Sequence, residues 1–313
     1  MTAVLRRLTQ ETRLARQEVR QGRFQRSLSL VAAMSAIVSG FEAYIQHSRG
    51  DFQDPLMWTP VWLTPPTVVA AGAALVSERA ARTLLPAVSI VSLADGVIGF
   101  YSHLRGIQRM PGGFKLGQYN VVMGPPIFAP LLVGTVGVTG LIASVLRRET
   151  LHPVPRSLNS LGRMARVLGR GGRSPSLGTE IAHGRFQQGM ALTSAAFAIL
   201  AGGEAYVEHM RGSYNQRLMW TPVWVTPPMV GAAVASAFSR RIAERVLPWA
   251  SAVTFLDGML GFGLHLRGIH RMPGRFSNLR FNITMGPPLF APLLFTAVGL
   301  LGFLSSLLKR SGR

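Results

Sequence analysis

H-L-R-G-I-Q-R-M-P-G-G-F at His103–Phe114, followed by N-V-V-M-G-P-P-I-F-A-P-L-L at Asn120–Leu132, occurs twice in this chain. It returns as H-L-R-G-I-H-R-M-P-G-R-F at His265–Phe276 and N-I-T-M-G-P-P-L-F-A-P-L-L at Asn282–Leu294, after a gapless shift of 162 positions. The same shift carries Gly22 onto Gly184 and Arg148 onto Arg310, with roughly half of the intervening positions identical. Self-similarity at so long a period reads as a tandem duplication of a unit of about 127 residues. A site proposed in one unit must therefore be tested against the other.

Composition sets the class. Of 313 residues 48% are apolar and only 15% charged, against about a quarter charged in ordinary soluble domains. Low charge and long apolar runs point to a lipid bilayer as the solvent. The net charge of +20 would suit nucleic acid, but the arginines crowd into positions 6–26, 147–173 and 309–313, flanking apolar runs. No aromatic-interleaved basic face or nucleic-acid motif accompanies them, so nucleic acid is not expected as a partner. With no cysteine, Cys-ligated clusters and covalently attached c-type haem are excluded, and a redox centre must be held by His, Met, carboxylates or a non-covalent cofactor.

Residues 1–26 read as a basic amphipathic helix on a membrane surface. The first repeat, 27–148, holds four apolar spans near 27–47, 61–76, 84–103 and 125–147. Pro65 and Pro66 predict a kink or a re-entrant start in the second span, and the Gly- and Pro-rich stretch 104–124 predicts irregular backbone. A basic linker, 149–183, leads into the second repeat, 184–313, with spans near 189–209, 223–238, 246–265 and 287–308. The expected fold is an all-α polytopic integral membrane protein of about eight transmembrane helices, two four-helix units in parallel orientation. Arginine excess at the N-terminus, linker and C-terminus predicts a cytoplasmic side for all three, in a bacterial inner (plasma) membrane.

Ionisable residues inside apolar spans are costly and are functional candidates by default. Each unit has four: Glu42, His47, Asp95 and His103, matched by Glu204, His209, Asp257 and His265. His47 and His103 end two spans at similar depth, each followed by Arg-Gly, and His209 and His265 repeat the pattern. Two imidazoles at one depth on different helices suit bis-histidine haem b, with Arg49, Arg105, Arg211 and Arg267 placed to pair with its propionates. The alternative is that the histidines cap helix ends on loop carbonyls. Pairing of His47 with His103 or, across units, with His265 is equally allowed. Glu42 lies about 7.5 Å along the axis from His47, and Asp95 about 12 Å from His103, so the four cannot share one ion on straight helices.

The expected function is an electron-transfer membrane subunit with one haem b per unit, two in all, near the extracytoplasmic face. It would serve other subunits of a redox complex, or quinone, rather than catalyse alone. A second expectation is a transporter or channel using the acids, and a third a cofactor-free scaffold. Another His-ligated macrocycle remains open as cofactor. The tryptophans of M-W-T-P-V-W-x-T-P-P (57–66, 219–228) read as interface anchors, and Met110 and Met272 are candidate haem ligands, with packing the commoner role of loop methionines.

Overall fold

The computed structural model describes residues 22–151 and 185–307, so most of the basic N-terminal segment, the linker and the C-terminal arginines lie outside the described residues. All regular structure among them is helical. The first half comprises α1 (Arg23–Ser48), α2 (Thr59–Val76), the short α3 (Glu78–Arg82), α4 (Leu84–Arg109), α5 (Gly117–Met123) and α6 (Ala129–Leu151). The second comprises α7 (Arg185–Arg211), α8 (Thr221–Phe238), α9 (Arg240–Arg245), α10 (Leu247–Arg271), α11 (Leu279–Met285) and α12 (Leu293–Leu307). Five helical stretches are long and apolar enough to cross a membrane: 24–48, 55–76, 78–109, 186–211 and 247–271. Their outward faces carry large apolar side chains, with Val76 85% and Phe238 84% exposed, as a lipid-facing surface requires.

Two local expectations need correction. The second span does not begin with a re-entrant turn at Pro65 and Pro66; one helix, Thr59–Val76, runs through both. Threonine hydroxyls beside the prolines donate to backbone carbonyls of the preceding turn, Thr64 to Pro60 and Thr67 to Leu63. The carbonyls that Pro65 and Pro66 leave without a helical donor are those of Val61 and Trp62, and the helix continues past them. The third span does not end at His103 but continues to Arg109, about 9 Å further. Nothing breaks the helix before Pro111, which pushes Met110 into the extended region (ψ 154°). The stretch after it is a 3-10 turn, Gly113–Leu116, and then α5, rather than irregular backbone.

Small residues carry the packing. The buried core is dominated by alanine, including Ala32, Ala71, Ala74, Ala143, Ala195 and Ala233, so backbones approach closely. The α4–α6 contact is one such approach: a Cβ on Gly96 would lie 2.7 Å from the Gly134 Cα and 2.8 Å from the Pro130 carbonyl oxygen. Because both obstacles are backbone, no rotamer change relieves them. Gly96→Ala is expected to destabilise by about 1–3 kcal/mol in thermal unfolding in detergent. Gly72→Ala, with nothing within 4 Å, is the control. Equal melting of the two variants would show that α4 and α6 separate freely.

The halves meet through exchanged contacts. The first helix of each half touches the last helix and the short loop helix of the other: α1 against α12 and α11, α7 against α6 and α5. Phe24 and Leu28 share a buried cluster with Met190 and Leu301, and Leu132 joins the cluster of Ala191 and Met229.

Candidate functional site

The two histidines of each half come together. The ring centres of His47 and His103 lie 6.4 Å apart with planes at 70°, and those of His209 and His265 lie 6.4 Å apart at 68°. Pairing is thus within each half, not across. Each Nδ1 contacts a backbone carbonyl oxygen: His47 with Met57 at 2.5 Å, His103 with Pro126, His209 with Met219 at 2.6 Å and His265 with Pro288 at 2.6 Å. A carbonyl only accepts, so Nδ1 must carry the proton and Nε2 is the ring's free lone pair. Among the described residues no Nε2 has a hydrogen-bond partner, and none is sealed in the interior.

The proline motifs explain why those carbonyls are available. Met57 closes the 3-10 turn Pro55–Trp58, and Pro60, three residues on, has no N–H to offer it. Pro126 would be served in a helix by residue 130, again a proline. W-T-P and P-P-x-F-A-P therefore leave carbonyls whose natural donors are missing, and the imidazoles supply the donors. In each repeat these motifs fix the tautomer of two histidines.

The acids and two of the arginines bind the halves to each other. Glu42 accepts from the Phe290 amide at 2.8 Å, and Glu204 from the Phe128 amide at 2.7 Å. Arg49 donates to the Thr284 and Gly286 carbonyls, the latter at 2.6 Å, while Arg211 donates to Val122 at 2.7 Å and Gly124 at 2.6 Å. Burial lowers the pKa of Arg49, opposed by the nearby Glu42 and Glu208 carboxylates. Arg49 and Arg211 thus spend donors on protein carbonyls that a propionate would otherwise use. Arg105 and Arg267 are exposed and sit two residues beyond their histidines, about 200° round the helix. Asp95 is held by the Thr59 hydroxyl, and Asp257 faces Thr221 in the same way. Met110 and Met272 lie with their sulfurs over Gly124 and Gly286 in their own loops. No group of three or more His, Asp or Glu side chains among the described residues is arranged to hold a metal ion.

Two features escaped the sequence. Phe52 and Tyr214 place their rings edge-on to His47 and His209 at 6.1 Å, and each stacks on a tryptophan, Trp58 at 3.8 Å and Trp220 at 4.0 Å. The stacks continue to Trp62 and Trp224. Their loops contain consecutive left-handed residues, Asp51 (φ 49°) with Phe52 (φ 48°) and Ser213 (φ 55°) with Tyr214 (φ 48°). Glycine, which usually marks such conformations, is absent from those positions. Ser213→Gly is expected to raise stability by about 0.5–1 kcal/mol, read as a higher melting temperature, because a Cβ in this region costs about 1–2 kcal/mol. A lower melting temperature would place the cost elsewhere. Burial pushes the Tyr214 hydroxyl up to about 12, and it donates to the Tyr206 carbonyl at 3.0 Å. The second feature is Glu208, ion-paired with Arg211 at 3.1 Å. Its counterpart is Gln46, which donates to Glu42, so comparison of the two units filtered it out.

No protein-family model, no curated protein and no solved structure matches this chain.

Proposed function

We propose that the chain is an integral membrane electron-transfer subunit binding two haem b groups, one on His47 and His103 and one on His209 and His265. The spacing of the rings carries the reading. An imidazole nitrogen lies about 1.2 Å from its ring centre and about 2 Å from a metal it ligates, so rings holding one ion from opposite sides stand about 6–6.5 Å apart. Both pairs stand at 6.4 Å. In both, each Nδ1–H donates to a carbonyl and leaves Nε2 open, the arrangement of a ligating histidine, which fixes ring orientation and raises ligand basicity. The donor set, two neutral imidazoles per site, suits haem iron.

When bound, haem b supplies reversible one-electron chemistry between ferric and ferrous iron. The chain's own residues hold the ligands still: four carbonyls fix four tautomers, and Phe52 and Tyr214 pack against one ring of each pair. Glu42, Glu204, Arg49 and Arg211 lock the loops of one half onto the helix ends of the other, which keeps the carbonyl donors in place. Around these sites the fold is an eight-span bundle of two tandem repeats in parallel orientation, with the basic termini and linker on the cytoplasmic side. The partners are lipid, other subunits of a redox complex on the extracytoplasmic side, and quinone.

A transporter has less in its favour. Glu42 and Glu204 are committed to backbone amides, and the cavity between α1, α6, α7 and α12, lined by Ser35, Thr135, Thr139 and apolar neighbours, includes none of the four acids. The deciding experiment is a reduced-minus-oxidised visible spectrum of purified protein from haem-replete cells, with a pyridine haemochrome count. About two b-type haems per chain is the expected result; a flat spectrum would sink the proposal.

A further inference from the structure

We propose that the second repeat's loops at the histidine end of the bundle dock an acidic, water-soluble redox protein, which exchanges one electron through the His209–His265 site. The electron exchange rests on the haem reading; the docking rests on charge alone.

The duplication supplies an internal control. Beyond His47 and His103 the first repeat exposes four cations, Arg49, Arg105, Arg109 and Lys115, against two carboxylates, Asp51 and Asp54, and Arg49 is taken up by carbonyls of the other half. Beyond His209 and His265 the second repeat exposes six arginines, Arg211, Arg217, Arg267, Arg271, Arg275 and Arg280, of which Arg211 is taken up by carbonyls of the other half, with no carboxylate between 210 and 222 or between 266 and 292. Asp51 and Asp54 have become Ser213 and Gln216, while Gly113 and Gln118 have become Arg275 and Arg280. One repeat has acquired a positive face that its copy lacks.

Lipid headgroups are the competing explanation, and the same control weighs against them. Both repeats keep the exposed apolar anchors of an interfacial segment: Phe114, Tyr119 and Met123 in the first, 53–63% exposed, and Phe276, Phe281 and Met285 in the second, 50–57% exposed. If the arginines served membrane anchoring, the first repeat, with equal anchors, would need them too. On the orientation proposed above, the patch also places arginine on the side of the membrane from which short loops normally exclude it. A dense positive field on a redox protein steers an acidic partner, raising association rates by about 10–1,000-fold at low salt.

The test uses the full chain in phosphatidylcholine nanodiscs, with an acidic plant-type [2Fe–2S] ferredoxin as probe. In the reaction the reduced cluster loses one electron and ferric haem gains it. The Kd for the oxidised probe and the second-order rate of haem reduction are measured at about 20 mM and about 300 mM ionic strength. For the parent, both should weaken steeply with salt. At low salt R271Q/R275Q/R280Q should bind and react about tenfold more weakly, while R109Q/K115Q stays within about twofold of the parent. The proposal is overturned if the triple variant, with its haem spectrum intact, matches the parent, or if a basic cytochrome binds as well as the acidic probe. It is equally overturned if the triple variant differs from the parent only in discs containing phosphatidylglycerol, which would assign the arginines to lipid. Absence of haem with salt-sensitive, variant-sensitive binding would remove the haem reading and leave the docking surface standing.

Discussion

His103→Ala is expected to halve the haem content, and His103→Ala with His265→Ala to abolish it. On the proposed function each pair would hold one haem b, so removing either ring would take away one of the two imidazoles that hold it, and a non-covalently bound group would be lost during purification. The double variants separate the pairing found here from the exchanged one the sequence also allowed. His47→Ala with His103→Ala empties one site when pairing lies within a repeat and leaves about one haem per chain. Were His47 paired with His265 and His103 with His209, the same double variant would lose both. His47→Ala with His265→Ala gives the mirror result: no haem for pairing within repeats, one for pairing across them. Counting haem by pyridine haemochrome reads all these outcomes directly, and retention of two haems in His103→Ala would reject the site.

Glu42→Ala with Glu204→Ala is expected to destabilise the protein by about 2–6 kcal/mol, since each leaves a part-buried amide without its acceptor at about 1–3 kcal/mol. The Phe290 and Phe128 amides belong to the turns that also present the Pro288 and Pro126 carbonyls to His265 and His103. Loss of the acids should therefore loosen both histidine pairs as well as the contact between halves, lowering the melting temperature and, on the proposed function, the haem content together. Glu42→Gln with Glu204→Gln keeps an amide oxygen where the carboxylate oxygen stood and should restore most of the loss. A double glutamine variant as unstable as the double alanine would mean that charge, through Arg49, Arg211 and Glu208, matters more than the amide bonds. Thermal unfolding in detergent, with and without added haem, distinguishes the two.

The helical class, the positions of the apolar segments and the candidate histidines were legible because each is a local or periodic property. Apolar runs long enough for a bilayer announce themselves, and duplication picks out His47, His103, His209 and His265 from the seven histidines. Element ends were less legible: Pro65 and Pro66 read as a kink or re-entrant start, yet the helix begins at Thr59 and runs through both. Phe52 and Tyr214 were invisible, because a left-handed pair without glycine leaves no compositional mark and their contact with the histidines is made in space. The sequence alone determined which side chains share a depth, since 1.5 Å of rise per residue fixes depth along a helix. Only the tertiary structure decided who meets whom. Histidines pair within a half because α1 and α4 of one half present them to each other, whereas acids and arginines reach across, because the loop helices α5 and α11 pack on the first helix of the opposite half. Sequence spacing fixes position along a helix; which neighbour lies beside it is set by packing, and here close-fitting glycine and alanine surfaces choose that neighbour.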